Sequence, residues 1–295
     1  MPRTPAQFVR TASPEALYVL SGIAQYTGAV IAIGLFDEGL SPSTVAVFRV
    51  LLGAVPVLLV SWRGRRPWTR EALKAAAIFG IVTALMNISF YNAAARLPLG
   101  KSVLIEFIGP IAIAAYYTRT RRNAAALGLA VAGVVVLSGA EIGGDPLGLF
   151  FIFLASALWA AYIVLGRNVA GLDRGLDGLG VGLVIGGFVT LPLGWTDAVE
   201  IITTPRLLWL CFLVGLFSSA IGYGIDQIVL RRIPMRRFAV LLALLPVCAM
   251  VLGAVALDQT PTPVDLVGAV LVIAGVMVQE RDELTTLPEE LPGSV

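Results

Sequence analysis

The chain has 295 residues, 58% of them hydrophobic and 14% charged, with a formal net charge of +2 and no histidine. A soluble globular chain carries roughly 25% charged residues, so this composition excludes that class. The missing histidine removes the commonest general base and the usual zinc ligand, and the small net charge gives no case for a nucleic-acid partner.

A helix that crosses the roughly 30 Å hydrocarbon core of a bilayer needs about 20 mostly apolar residues. Ten such spans are predicted in chain order, near residues 15–36, 43–62, 72–95, 98–117, 124–140, 147–167, 177–195, 206–229, 235–257 and 264–280. The first 14 residues, with Arg3, Arg10 and three prolines, read as a short tail. The first span is too long for the core of a signal peptide and is predicted to be retained. Junctions such as Leu40-Ser41-Pro42, Gly143-Gly144-Asp145-Pro146 and Thr260-Pro261-Thr262-Pro263 are short and built from turn residues. The polar end, LTTLPEELPGSV, is expected to be disordered. Cys211 and Cys248 both lie inside apolar runs, which predicts buried hydrophobes rather than a disulfide.

Lysine and arginine concentrate in the cytoplasmic loops of membrane proteins. With the N-terminus inside, 17 of the 21 basic residues fall on the cytoplasmic side: Arg3, Arg10, Arg63, Arg65, Arg66, Arg70, Lys74, Arg119, Arg121, Arg122, Arg167, Arg174, Arg231, Arg232, Arg236, Arg237 and Arg281. Arg96, Lys101 and Arg206 fall outside, and Arg49 lies within the second span. Both termini are therefore expected in the cytoplasm of a multi-pass membrane protein.

An internal repeat accompanies this pattern. Arg96-Leu97-Pro98 with Pro110 recurs as Arg232-Ile233-Pro234 with Pro246 at a constant offset of 136 residues, and the two copies fall on the junctions of spans three to four and eight to nine. Ala132-Gly133-Val134 and Ala274-Gly275-Val276 match at a slightly different offset. These predict an all-α polytopic membrane protein of two five-helix repeats, residues 1–140 and 141–295. An odd helix count inverts the second copy, consistent with Arg96 and Lys101 in the outer junction and Arg231, Arg232, Arg236 and Arg237 in its inner counterpart. Inverted repeats accompany alternating access about a site near the midplane.

PLGKSVLIEFIGP (Pro98 to Pro110), MNISFYNAAA (Met86 to Ala95) and the RVLLG beginning at Arg49 resemble the EamA-type branch of the drug/metabolite transporter superfamily, nearest to its bacterial threonine/homoserine exporters. The resemblance runs from Gln25 to the GAVLVIAGV of the last span. It implies a secondary carrier of the bacterial inner membrane that moves neutral amino acids such as threonine, homoserine or related ones out of the cytoplasm, with no cofactor and no ATPase subunit; the lack of histidine and of a second deep carboxylate beside Glu106 argues separately against an enzyme or a metal site. Its partners would be the substrate and the bilayer, with a monomer or weak homodimer as the assembly. The alternative within transport is a broad exporter of aromatic amino acids, other metabolites or toxic cationic compounds. Family positions in the second, third and fourth spans fall on Arg49, Asn87, Tyr91 and Glu106. The family's second-half glutamate is replaced by Leu245, its Gly-Glu at the end of the ninth span by Asp258-Gln259, and a lysine late in the first span by Ile33.

Charges deep in a membrane face a cavity or a partner. At 1.5 Å per residue, Arg49 and Glu106 each lie on the order of 10 Å from the outer end of a span. Two readings follow: the pair frames a zwitterion, guanidinium to carboxylate and carboxylate to ammonium, or it is an ion pair that ties two helices together. Gln25, Trp159, Tyr162, Ser219 and Tyr223 are further substrate-binding candidates by depth. Glu106 is read as the one carboxylate well inside the membrane, so proton antiport would rest on it, and uniport is equally consistent. Asp226 is assigned to an interfacial ion pair with Arg231 or Arg232. Pro110 and Pro246 are expected to kink their helices and are candidate hinges. Gly178, Gly182 and Gly186 form a ridge for close helix contact, within the monomer or between monomers.

Overall fold

Turn chemistry fixes where each apolar run begins. In the computed structural model, which describes residues 12–61, 67–97, 102, 105–138, 145–172, 176–256 and 262–278, Ser13 accepts from the Ala16 amide at 3.2 Å and opens α1 (Pro14–Asp37). Thr69 caps α3 (Arg70–Ala94) in the same way, and Asp145 caps α6 (Pro146–Gly171) with both carboxylate oxygens. Proline at the first helical position of α1 and α6 needs no amide donor there, so helix start and proline agree. Gly39 ends α1 with φ +98°, a left-handed position from which Leu40 N–H returns to the Leu35 carbonyl at 3.1 Å.

The remaining helices are α2 (Pro42–Ser61), α4 (Ile108–Tyr117), α5 (Arg121–Ser138), α7 (Asp177–Thr190), α8 (Ala198–Thr203), α9 (Pro205–Val214), α10 (Tyr223–Arg232), α11 (Met235–Leu242), α12 (Leu244–Ala256) and α13 (Pro263–Val278). A 3-10 turn, Leu191–Gly194, extends α7, and a π-helical segment, Gly215–Gly222, joins α9 to α10 without a break. No strand occurs among the described residues. Six stretches there are long and apolar enough to cross a membrane: Pro14–Asp37, Pro42–Ser61, Arg70–Ala94, Pro146–Gly171, Asp177–Gly194 and Pro205–Arg232. The chain is thus a polytopic all-helical membrane protein. The predicted fourth, fifth, ninth and tenth spans fall on helices α4, α5, α11 with α12, and α13. Residues 1–11 and 279–295, with the tail predictions made on them, lie outside the described residues, as do Arg63, Arg65, Arg66, Lys101, Arg174, Asp258 and Gln259.

Helix α3 packs against both α6 and α7, α2 against α7 and the π segment, and α1 against the π segment and α12; α4 lies on α11 and α6. Helices α5 and α13 pack chiefly on each other. Small residues make these approaches close. A Cβ added to Gly182 would sit 2.6 Å from the Ala76 carbonyl, and one on Gly186 would overlap the Gly80 carbonyl, so this part of the glycine ridge packs inside the monomer on α3. Gly178 instead faces Val169 of α6. On α5, a Cβ added to Gly133 would lie 2.7 Å from the Gly268 carbonyl, and on α13, one added to Gly275 would lie 2.8 Å from the Ala126 carbonyl. Residues 133 and 275, and 126 and 268, are both 142 apart, so this interface is reciprocal.

Cys211 and Cys248 are free and buried, as their apolar surroundings predict. Large apolar side chains such as Leu59, Val60, Phe188, Trp209 and Val270 face outward, a surface suited to lipid tails.

Candidate functional site

Proline cannot donate to the carbonyl four residues before it. Pro110 and Pro246 each occupy the third position of a helix, α4 and α12, and in both cases the helical path breaks three residues earlier, at Phe107 and Ala243. The helical path is thus interrupted before both prolines, at points 136 residues apart. They leave the Glu106 and Leu242 carbonyls without a helical amide and place Glu106, Phe107, Leu242 and Leu245 on the wall of one cavity.

Gln25, Tyr26 and Ala29 of α1, Arg49 of α2, Met86, Asn87, Phe90 and Tyr91 of α3, Trp159 of α6, and Tyr223 and Asp226 of α10 complete that wall. Centres of water-sized molecules range over about 100 Å³ within it. One water needs roughly 10–15 Å³ on that measure, so the space admits a small polar solute with its water displaced.

Arg49 is 6% exposed and is held by three helical segments. Its Nε donates to Ser219 Oγ at 3.3 Å, one terminal nitrogen to the Tyr91 hydroxyl at 2.9 Å and the other to the Tyr223 hydroxyl at 3.0 Å. The guanidinium carbon also lies 5.4 Å and 5.5 Å from the two phenol ring centres. The Tyr223 hydroxyl donates in turn to Asn87 Oδ1 at 2.9 Å, and Asn87 donates to the Thr83 carbonyl at 2.7 Å. A guanidinium has five N–H groups, so three are used and two remain, one on each terminal nitrogen. All its partners are neutral. No ion pair or hydrogen bond joins Arg49 to Glu106 among the described residues, although both line the cavity.

Bringing Ser219 to Arg49 depends on the π segment. Its wider turn carries Ser218 and Ser219, and Gly215 lets it approach α2 so closely that an added Cβ would lie 2.7 Å from the Arg49 carbonyl. Ser218 donates to the Gln25 carbonyl at 3.1 Å, while Gln25 donates to Ser21 Oγ at 3.0 Å. The paired serines in an apolar run were the only trace of this segment in the sequence.

Of the predicted site residues, Arg49, Asn87, Tyr91 and Tyr223 form one hydrogen-bonded cluster, and Gln25, Trp159 and Glu106 line the same space. Ser219 and Tyr162, both fully buried, stand one layer behind the wall. Trp159 meets Phe107 edge to face at 5.0 Å between ring centres, and Tyr162 lies between Phe79 and Tyr223.

The assignment of Asp226 needs correction. It is 2% exposed and accepts from the Tyr162 hydroxyl at 2.9 Å. Arg231 is exposed, and Arg232 donates instead to the Ala12 carbonyl at 2.9 Å. Asp226 follows Tyr223 by three residues, which puts both on one face of α10 toward the bundle. Glu106 is consequently not the one carboxylate inside the protein. Tyr26, Phe90 and Phe107 on the cavity wall also escaped the sequence reading, because nothing in an apolar run marks which aromatic ring faces a cavity.

Charged groups bracket the bundle. At one end Glu15 of α1 and Arg237 of α11 pair at 2.6 Å, with Arg237 3% exposed. At the other, Arg206 grips both Glu38 oxygens at 2.6 Å and 2.7 Å, and this guanidinium holds the Glu38 carboxyl below the usual carboxylate range.

The chain is similar to several known proteins. The EamA-like transporter family matches residues 146–279. Threonine/homoserine exporter RhtA of Escherichia coli (strain K12) is 30% identical over 253 residues, covering 85% of each chain, and its Salmonella typhimurium (strain SL1344) counterpart is equally similar over 258 residues. A probable amino-acid metabolite efflux pump of Salmonella typhimurium (strain LT2) is 27% identical over 84% of this chain and 88% of its own. One solved crystal structure superposes with a TM-score of 0.68 at 19% identity, over 90% of this chain and 94% of that one, a likeness of fold.

Proposed function

The chain belongs to the EamA-like transporter family, and from that premise we propose that it is a secondary carrier exporting neutral amino acids such as threonine or homoserine from the cytoplasm. One observation carries the reading: across a single cavity, a buried guanidinium keeps two N–H groups without a protein partner, and the Glu106 carboxyl makes no hydrogen bond or ion pair among the described residues. In a medium that solvates charge poorly, a zwitterion is the ligand that neutralises both. The substrate carboxylate takes the two open N–H groups of Arg49, and its ammonium takes Glu106. Tyr91 and Tyr223 hold the fork in place, Asn87 fixes the Tyr223 hydroxyl, and Gln25 offers an amide to a hydroxylated side chain. Trp159, Phe90 and Phe107 supply apolar walls of the kind small-ligand sites use.

The carrier reading includes ten spans in a five-plus-five inverted repeat, residues 1–140 and 141–295, with both termini in the cytoplasm. Support comes from packing. The α3 contacts with α6 and α7 have counterparts in the contacts of the π segment with α1 and α2, and the α5 to α13 interface is reciprocal at a spacing of 142 residues. The breaks at Phe107 and Ala243 precede Pro110 and Pro246 at the same offset of 136, which favours the two kinks as hinges for alternating access.

Purified protein in liposomes, assayed with radiolabelled threonine against a panel of competitors, tests this function. Threonine and homoserine are expected to be transported and to compete with each other, whereas aromatic and cationic compounds compete weakly. Preference for aromatic or cationic compounds over the hydroxylated amino acids overturns it.

A further inference from the structure

A second carboxyl lies in the same wall, and the zwitterion reading assigns it no contact with substrate. Asp226 is buried on α10 with one oxygen accepting from Tyr162, while its Oδ1, sealed from solvent, makes no hydrogen bond. The Tyr18 hydroxyl, which neighbours this carboxyl from α1, also makes none, and neither end of the Gln227 amide does. A carboxylate in such a place requires a positive partner.

Among the described residues, the surrounding elements supply none. From α6, Tyr162 is a neutral donor and Arg167 is committed to the Leu230 and Ile233 carbonyls. From α1, Tyr18 is neutral and Glu15 pairs with Arg237 of α11. Asp177, the titratable residue of α7, carries the same sign as Asp226, and the π segment has no titratable side chain. On α10 itself Tyr223 is bound to Asn87, Arg231 is exposed, and Arg232 is turned to the Ala12 carbonyl.

From this juxtaposition of a sealed carboxyl oxygen, an unpartnered phenol and a shared cavity, we propose that Asp226 is the proton-binding site that couples substrate export to proton entry. The inference rests on the exporter reading above. The sealed oxygen selects the ligand, because an ammonium group or a hydrated metal ion has no room at Oδ1 whereas a proton needs none. Tyr18 suits both states. A small approach would let its hydroxyl donate to the carboxylate, and once a proton from water on the outer side has formed the Oδ1–H bond, the same hydroxyl can turn and accept from it. Release of that proton to water on the cytoplasmic side restores the carboxylate, while Glu106 remains free to hold the substrate ammonium.

Proteoliposomes with an acid interior and a neutral exterior provide the test. In one-for-one exchange, a gradient of one pH unit drives up to about tenfold accumulation of threonine by the wild type. Asp226→Asn is expected to equilibrate threonine to a ratio near one and still to exchange internal for external threonine. If Asp226→Asn accumulates like the wild type, the coupling site is elsewhere; if it binds no threonine while remaining monodisperse, Asp226 belongs to the substrate. If the wild type transports no amino acid, the exporter reading itself fails. Asp226→Glu covers the case in which the asparagine variant does not fold: a carboxyl displaced by one methylene should keep gradient-driven accumulation with a displaced pH dependence, and a pH dependence identical to that of the wild type overturns the assignment.

Discussion

Arg49→Lys keeps the charge at the cavity and removes the fork. The arginine donates to Ser219, Tyr91 and Tyr223 and still presents one N–H from each terminal nitrogen; an ammonium has three N–H groups on a single atom, so it cannot serve the hydroxyls and two carboxylate oxygens together. A hydrogen bond to a charged group contributes about 1.5–3 kcal/mol, so loss of one to the substrate should weaken binding about 10- to 150-fold. Any slackening of the helices that Arg49 ties together adds a cost that has nothing to do with the carboxylate. A second ligand separates the two. Threoninol, the amino alcohol of threonine, lacks the carboxylate and should bind the wild type weakly and lose little more to Arg49→Lys. Both compounds are measured by competition against radiolabelled threonine, with monodispersity of each variant in detergent as the folding control. The excess loss for threonine over threoninol is the coupling between Arg49 and the carboxylate. Equal losses for the two ligands would refute the assignment and make Arg49 a structural tie. Glu106→Gln read against N-acetylthreonine is the mirror experiment for the ammonium.

Four further outcomes follow from the packing and the charges. Gly186→Ala puts a methyl group on the Gly80 carbonyl of α3, where backbone meets backbone and neither helix can give way, and should cost about 1–3 kcal/mol in thermal unfolding. Gly128→Ala, whose added methyl meets nothing within 4 Å, should be neutral or stabilising by about 0.5–1 kcal/mol. Glu38→Gln breaks the bidentate contact with Arg206. Since Arg206 lowers the proton affinity of Glu38, the pair contributes above the usual carboxylate range and its contribution is lost as pH falls through the lowered value. The melting temperature of the variant should therefore fall below that of the wild type at neutral pH and match it in acid. Pro110→Ala restores an amide to the Glu106 carbonyl; crosslinking between cysteines at the helix ends should then lose its dependence on substrate, and unchanged dependence would remove the hinge.

How much of this was legible beforehand depended on what each residue had to satisfy. Helix positions were readable because the bilayer imposes length and polarity on every span, so the spans read from residues 15, 72 and 147 begin within two residues of the helices that Ser13, Thr69 and Asp145 cap. Arg49 and Glu106 were readable because a charge in an apolar run is too costly to be idle. Asp226 was misplaced for a reason that sequence proximity makes plausible: two arginines follow within six residues, yet one is exposed and the other reaches the Ala12 carbonyl, while the carboxylate turns to Tyr162 on a different helix. The rotation of α10 decides this, and that rotation is inherited from the π segment before it, where one widened turn resets which face of the following helix looks inward.

On the proposed five-plus-five plan, that segment and the proline breaks make the two halves unlike. Pro110 and Pro246 each interrupt a helix three residues after a break and open the backbone toward the same cavity. At the first break the side chain is Glu106, a hydrogen-bonding acid; at the second, Leu242 and Leu245 present only carbon. Arg49 stands on the second helix of the first half, and its counterpart region in α7 carries glycines that press against α3. Backbone symmetry thus supplies two matching kinks able to move together, whereas the charges are confined to one side of each. If Arg49 and Glu106 hold the substrate as proposed and Asp226 on α10 takes the proton, the zwitterion would sit against one proposed repeat and the proton against the other, which is the arrangement an exchange of the two requires.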